Sequence, residues 1–182
     1  RHGNLLYASF RNKHFGYAGS TMAMKFEQGK MRYLDRDVQF YKKLFFDEEK
    51  VGVLLPNSLA NAVSFFALQY AAKIPVMLNF SLGTAQFESC LKTTKLRKVI
   101  SSRKFIEAGK LERLAESVKN AGAEIIYLED FAKQIAWTTK LKGIKKYLRR
   151  EAVKINADKP AAILFTSGSE GLPKAVLLSH RN

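Results

Sequence analysis

Continuous apolar runs alternate with amphipathic stretches through the central and carboxy-terminal parts of the chain. The run at residues 51–55 lacks any polar side chain, which is typical of a strand buried on both faces in a parallel sheet. The same reasoning predicts further strands at residues 74–78, 98–101, 124–128, 161–166 and 175–178.

Helical spacing fills the gaps between these runs. Between residues 59 and 72 the apolar positions recur on one stripe, and either Asn57 or Ser58 can cap the helix. Further helices are predicted from residue 35 onward and at residues 84–94 and 110–120. Strands that alternate with helices of this length predict an α/β fold, with a mainly parallel sheet flanked by helices.

The two ends of this alternating centre have a different character. Residues 22–26 and 31–33 flank a short turn and predict a hairpin. Residues 130–154 are basic, mostly helical in pattern and poor in strand signals, so we expect a surface excursion there. We predict a single incomplete domain, with residues 1–34 as a leader and opening hairpin and residues 35–182 as an α/β subdomain.

Composition narrows the class of protein. The 182 residues suit about one domain, the 47% hydrophobic content can build a core, and no apolar run reaches the ~18 residues of a membrane span. The start of the chain has no apolar signal core, and Arg1 is not an initiator methionine, so we expect a cytoplasmic fragment of a longer protein. The single cysteine, Cys90, is interpreted as a buried inert thiol, with a nucleophile as the alternative.

The net charge of +15 comes largely from basic clusters at residues 95–104 and 140–150. A solvated helix face would explain them without any partner. The alternatives are contact with an anionic membrane surface, an acidic protein partner or nucleic acid. Aromatic side chains do not interleave with these clusters in a recognition pattern, so we expect no nucleic-acid partner.

One segment concentrates groups that can bind phosphate. It follows the apolar strand at residues 161–165, and ligands in open α/β sheets bind where such strands end. Glycines allow close approach of the backbone, hydroxyls donate hydrogen bonds, and a lysine adds positive charge. The segment reads Thr166, Ser167, Gly168, Ser169, Glu170, Gly171, Leu172, Pro173 and Lys174.

The spacing within this loop excludes a P-loop NTPase. A Walker loop has four residues between its glycines and the lysine directly after the second glycine. Here two residues separate Gly168 from Gly171, and Lys174 follows three positions later. The residues alone also allow a polar hairpin in which Gly171 and Pro173 serve only the turn.

The order of residues 166–176 resembles the phosphate-loop signature of the adenylate-forming superfamily, which includes acyl-CoA synthetases, luciferases and peptide-synthetase adenylation domains. Residues 30–33, 51–58, 65–68 and 74–79 are similar to the superfamily's opening elements, so the resemblance runs from about residue 22 to the end. Ala175 departs from the usual glycine, and its methyl group restricts the loop backbone.

A closer resemblance is to the acyl-acyl-carrier-protein synthetase region of bacterial 2-acylglycerophosphoethanolamine acyltransferases. It rests on Ser169–Glu170 together with residues 102–105, 109–111 and 127–130. In those bifunctional proteins the synthetase follows an acyltransferase domain. The His-x-x-x-x-Asp motif of such a domain is absent from this sequence.

The resemblance implies an ATP-dependent ligase with Mg²⁺ that converts a fatty acid to an acyl-adenylate. The acyl group then passes to the phosphopantetheine thiol of acyl carrier protein, or of coenzyme A, in support of lysophospholipid reacylation. Such an enzyme would be cytoplasmic, either free or attached at the inner face of the bacterial cell membrane through parts outside this fragment. The fragment alone is expected to be inactive. The alternatives are a fatty-acyl-CoA ligase and a non-catalytic basic module that docks on anionic membrane.

The resemblance also assigns roles within the loop. Thr166, Ser167 and Ser169 would donate hydroxyl hydrogen bonds to phosphates, and Lys174 would supply the catalytic cation. Backbone N–H groups would come from the two glycines, Gly168 and Gly171. Glu170 belongs to the same nucleotide-binding set, although a carboxylate beside phosphates must point away or face the metal. His180 is interpreted as structural, with catalysis as the alternative. The chain itself is assigned no metal ligand.

Overall fold

The computed structural model describes residues 5–9, 21–27, 30–33, 44–130, 153–154, 156–166 and 171–182. A four-stranded antiparallel sheet has the order β1-β2-β3-β8. Its strands are β1 (Leu5–Ser9), β2 (Thr21–Glu27), β3 (Lys30–Tyr33) and β8 (Val153–Lys154). The predicted opening hairpin is confirmed, because β2 pairs with β3.

A six-stranded sheet carries the rest of the described chain, in the order β10-β9-β5-β4-β6-β7. The five strands from β9 to β7 are parallel, and β10 is antiparallel to β9. The mainly parallel sheet predicted from the sequence is therefore confirmed. The strands are β4 (Lys50–Val53), β5 (Ile74–Met77), β6 (Lys98–Ser101), β7 (Glu124–Tyr127), β9 (Pro160–Thr166) and β10 (Lys174–Ser179).

Local sequence signals account for the helix boundaries. The helices are α1 (Leu59–Tyr70), α2 (Thr84–Thr94), α3 (Arg103–Ala108) and α4 (Glu112–Asn120). The Ser58 hydroxyl accepts a hydrogen bond from the Asn61 backbone N–H, which selects Ser58 over Asn57 as the cap of α1. The chain leaves α1 through Ala72 and α2 through Lys95, both with left-handed backbone.

Helices cover both faces of the parallel sheet, and each face has its own apolar cluster. On one face α1 packs its Ala67 and Leu68 against Val51 and Val53 of β4. On the other face lie side chains of α2, α3 and α4, and the buried residues there include Leu54, Val76, Phe87, Leu91 and Val118. Alternate residues of the central strand therefore serve opposite cores, as expected for a strand buried on both sides.

Gly52 of β4 is required by this packing. A Cβ atom there would lie 2.9 Å from Val99 Cγ2, 2.9 Å from Leu96 Cδ1 and 3.2 Å from Leu78 Cδ1. The glycine thus lets the side chains of Leu78, Leu96 and Val99 pack closely against the centre of the sheet.

The structure corrects the sequence-based boundaries in two places. The predicted helix at residues 110–120 starts later than expected, because α4 begins only at Glu112, after Lys110 with φ +50°, and a separate helix that the sequence did not predict, α3, lies before it. The predicted strand-poor excursion at residues 130–154 contains β8, which pairs with β3. The helix predicted from residue 35 and the basic cluster at residues 140–150 fall outside the described residues. In the described part of the chain, no helix has the length and apolar character needed to cross a bilayer.

Candidate functional site

The loop singled out in the sequence lies at one edge of the six-stranded sheet. Because β4, β5, β6, β7 and β9 are parallel, their carboxyl ends lie at the same edge. The predicted phosphate loop leaves β9 at Thr166 and returns into β10 at Lys174. This is the edge at which open α/β sheets bind their ligands.

Thr166 and Lys174 face each other at the base of the loop. They are direct partners in the antiparallel pairing of β9 with β10, the pair closest to the loop. Directly opposite residues project their side chains to the same face, with Cβ atoms about 4.5–5.5 Å apart. The side chains of Thr166 and Lys174 therefore start next to each other at the entrance to the loop.

The described part of the loop is open to solvent. Thr166, Gly171, Leu172 and Lys174 are exposed, and Pro173 is half-buried. No described carboxylate forms an ion pair with Lys174. None of the described carboxylates therefore competes with a bound anion for its positive charge.

Gly171 adopts a backbone conformation that suits its lack of a side chain. Its φ of +81° lies in the left-handed region, and a Cβ atom added there would meet nothing within 4 Å. Its carbonyl oxygen accepts a hydrogen bond of 2.8 Å from Nε2 of Gln86, a residue in the first turn of α2. Sequence reasoning missed Gln86, because a contact across 85 positions leaves no local signal.

Four of the predicted site residues, Ser167, Gly168, Ser169 and Glu170, lie outside the described residues. Their roles, like the catalytic role of Lys174, stay predictions. The structure brings together Thr166, Gly171 and Lys174 from the predicted set.

His180 lies at the end of strand β10 that is far from the loop. It follows β10, whose far end, Ser179, pairs with Pro160 at the start of β9. The six residues from Lys174 to Ser179 span roughly 17 Å of strand, five steps of about 3.4 Å each. Burial lowers the pKa of His180, and its backbone N–H donates to the Lys159 carbonyl. The structural interpretation of His180 fits this position.

A second polar cluster, also missed from sequence, lies where β6 and β7 end. The Glu129 carboxylate accepts hydrogen bonds from the Ser102 hydroxyl (2.7 Å) and from the backbone N–H groups of Arg103 (3.1 Å) and Lys104 (3.3 Å). Burial acts to raise the pKa of Glu129, but these hydrogen bonds outweigh it and lower the pKa. The carboxylate thus fixes the start of α3 to the end of β7.

Arg103 completes this cluster on the solvent side. Its guanidinium binds both oxygens of Asp130, at 2.8 and 2.6 Å, and lies 4.2 Å from the ring centre of Tyr127. The hydrogen bond to Asp130 raises the pKa of Arg103. Because both Glu129 and Asp130 bind groups at the start of α3, the arrangement holds that helix against the end of β7.

The interpretation of Cys90 as a buried inert thiol is confirmed. Cys90 is 1% exposed within the core on the α2 face. Burial raises the pKa of its thiol to about 11, so the reactive thiolate is scarce at neutral pH.

Comparison with known proteins adds an independent line of evidence. The family model described as AMP-binding enzyme matches residues 45–182. The chain is 26% identical over 133 residues to 4-coumarate–CoA ligase 1 of Petroselinum crispum, and the matched region covers 73% of this chain and 23% of that enzyme. It is 27% identical over 147 residues to 4-hydroxybutyrate–CoA ligase 2 of Metallosphaera sedula, where the matched region covers 75% of this chain and 26% of that enzyme. The chain therefore spans about a quarter of the length of these relatives.

Solved structures show the same fold. A benzoate–CoA ligase from Burkholderia xenovorans LB400 matches with a TM-score of 0.58 at 19% identity, covering 81% of this chain and 28% of that one. The chain folds into a mainly parallel sheet covered on both faces, with a loop that contains glycine and hydroxyl residues where strand β9 ends. Since the family model matches residues 45–182, the chain belongs to the AMP-binding enzyme family.

Proposed function

We propose that the protein is part of an ATP-dependent ligase that activates a carboxylic acid as its adenylate and passes the acyl group to a thiol. The observation that carries this proposal is the exposed pair of Thr166 and Lys174 at the carboxyl edge of the sheet, in a chain of the AMP-binding enzyme family. A carboxylate oxygen of the acid attacks the α-phosphorus of ATP, and the bond from that phosphorus to the departing pyrophosphate breaks. A thiol then attacks the acyl carbonyl and releases AMP.

The described residues fit the phosphates of ATP. The loop entrance offers a cation that is paired with none of the described carboxylates, a hydroxyl, and a glycine at which an added Cβ would meet nothing within 4 Å. We assign Thr166, Ser167 and Ser169 as hydroxyl donors and Lys174 as the cation, with backbone N–H groups supplied by the glycines, Gly168 and Gly171. Mg²⁺ would enter with the ATP phosphates, which supply oxygen ligands of the kind it prefers.

Lys174 contributes to the first step by electrostatics. Negative charge builds on the departing pyrophosphate in the transition state, and a positive group placed beforehand lowers the barrier without reorganising. Because Lys174 starts a strand paired to β9, its backbone is held in place before substrate arrives.

For the substrates, we propose a fatty acid as acyl donor and acyl carrier protein as thiol acceptor. This choice follows the resemblance of residues 102–105, 109–111 and 127–130 to acyl-carrier-protein synthetases, together with the net charge of +15, which suits an acidic partner. Coenzyme A is the alternative acceptor, and the two relatives named above, both CoA ligases, favour it. In either case residues 35–182 would form an α/β subdomain of a cytoplasmic enzyme, with residues 1–34 as leader and opening hairpin.

The test of the proposed function uses the full-length protein that contains this chain. We expect carboxylate-dependent exchange of pyrophosphate into ATP, and Lys174→Ala should slow it by about 10²-fold or more, the scale of one charged transition-state contact. Transfer from pre-formed acyl-adenylate should suffer less. The matched control is Lys159→Ala, which should leave the rate unchanged. Lys159 is exposed and lies just before β9, at the end of the β9–β10 pair that is far from the loop. Equal exchange rates for wild type and Lys174→Ala would remove the assignment.

The acceptor is tested through the basic cluster at residues 140–150. Five basic residues, Lys142, Lys145, Lys146, Arg149 and Arg150, are reversed together to glutamate in the full-length protein. If they attract acyl carrier protein, its KM rises while adenylate formation and vesicle binding stay unchanged. Loss of binding to anionic vesicles instead would assign the cluster to the membrane, at about 1 kcal/mol per basic residue. If neither changes, the cluster is a solvated face.

A further inference from the structure

One side-chain hydrogen bond ties the phosphate loop to a helix outside it. Nε2 of Gln86 donates to the carbonyl oxygen of Gly171 at 2.8 Å. Gly171 is the first described residue after Glu170, and it leads through Pro173 into Lys174. The contact therefore acts on residues 171–174, the arm of the loop that leads to the lysine.

That arm has few other constraints among the described residues. The ladder between β9 and β10 begins only at the pair of Thr166 and Lys174, and Pro173 has no N–H to donate. Gly171 is exposed, with φ +81° and no atom within 4 Å of a would-be Cβ. A glycine in open space has many accessible conformations, and a hydrogen bond to its carbonyl selects among them.

The donor, by contrast, stands on a rigid support. Helix α2 has 11 residues and buries Phe87, Cys90, Leu91 and Thr94. Gln86 immediately precedes the buried Phe87, so its backbone cannot shift without disturbing the core. A well-packed helix thus donates a side-chain hydrogen bond to Gly171, an exposed residue that precedes the β9–β10 pairing.

We propose that Gln86 is a positioning residue, whose hydrogen bond to Gly171 sets the arm of the loop that carries Lys174. The proposal rests on the proposed function, since it concerns the same loop. Gln86 needs no contact with substrate. Its effect comes from holding the loop in one geometry before ATP binds, which lowers the cost of ordering it in the transition state.

The test compares two substitutions with a control on the same helix. Gln86→Met keeps the length of the side chain and removes the donor, while Gln86→Glu places a carboxylate against a carbonyl and near the expected phosphates. Lys92→Ala, an exposed residue in the last turn of α2, is the control. All are made in the full-length protein, with thermal unfolding measured to show that the fold is kept.

Two readouts separate positioning from a merely structural role. In steady-state adenylation, we expect Gln86→Met to lower kcat/KM for ATP about tenfold and Gln86→Glu to lower it further, with KM for the carboxylic acid unchanged. In hydrogen–deuterium exchange without nucleotide, we expect faster exchange in peptides covering residues 166–176 and unchanged exchange within α2. Lys92→Ala should match wild type in both.

Three results are distinguishable. Wild-type kinetics and wild-type exchange at residues 166–176 in Gln86→Met overturn the positioning role. A lower melting temperature with equal losses for ATP and acid also overturns it, because it indicates damage to α2. If the wild-type protein shows no carboxylate-dependent pyrophosphate exchange, the proposed function fails, and the deuterium exchange still decides whether Gln86 holds the loop.

Discussion

The centre of the six-stranded sheet and its β9–β10 edge are built from similar apolar sequences but have opposite surroundings. Val51 and Val53 of β4 are 0% and 1% exposed, whereas Val176 and Leu177 of β10 are 37% and 56% exposed. β4 has a strand on each side and an apolar cluster on each face, while β10 is the outermost strand of the described sheet. Buried apolar packing, which stabilises the fold, is concentrated at the central strand. The groups suited to phosphate chemistry lie on β9 and β10, the two strands at the exposed side of the sheet.

The largest expected difference between the two regions is in the free energy of unfolding. Leu68→Ala removes a fully buried side chain from the cluster on the α1 face, and such truncations cost about 2–5 kcal/mol. Leu177→Ala makes the same chemical change on β10, where 56% of the residue is already exposed, and should cost about 0.5 kcal/mol or less. Urea denaturation of both variants measures the contrast. Equal losses would show that β10 is as well packed as the centre.

A smaller loss is expected from adding a single methyl group at the centre. Gly52→Ala places a Cβ atom 2.9 Å from Val99 Cγ2, and overpacking of this kind costs about 1–3 kcal/mol. The control is Gly83→Ala, where an added Cβ meets nothing within 4 Å. The denaturation midpoint should fall clearly for Gly52→Ala and less for Gly83→Ala, whose expected cost is only the weaker capping of α2 by alanine. An unchanged midpoint for Gly52→Ala would mean that the layer above it can yield.

The smallest effect is a pH dependence at the second polar cluster. The folded-state pKa of Glu129 is lowered, so its contribution to stability is present above the ordinary glutamate pKa and is lost as pH falls through the folded value. Glu129→Gln should therefore lower the urea midpoint at neutral pH, and the gap from wild type should narrow in acid. A gap that is constant with pH would show that the charge of Glu129 is not what holds the start of α3.

Elements with local signals were predicted well from sequence. The helix at residues 84–94 matches α2 at both ends, and the strand at residues 98–101 matches β6, because apolar period and flanking turns both mark them. Helix α3 was missed because its six residues carry too short a pattern to show a period. Strand β8, with two residues, depends on its pairing with β3 rather than on its own sequence.

The candidate site divides along the same line. Thr166, Gly171 and Lys174 were found because hydroxyl, glycine and lysine follow an apolar strand in one continuous segment. The hydrogen bonds from Gln86 to Gly171 and from Ser102 to Glu129 were not predicted, because each joins residues that are far apart in the chain. Local chemistry is readable from one sequence, whereas the contacts that hold it in place are set by the tertiary fold.

The buried thiol of Cys90 has a practical consequence. It lies one helical turn after Gln86 on α2, with its pKa raised to about 11. An alkylating reagent can reach it only when the core on that face opens, so its modification rate reports the frequency of such openings. The alkylation rate of Cys90 is thus a built-in probe of fluctuations in the helix that contacts the phosphate loop. Comparing this rate with and without nucleotide would show whether ligand binding at the loop changes how often the core opens.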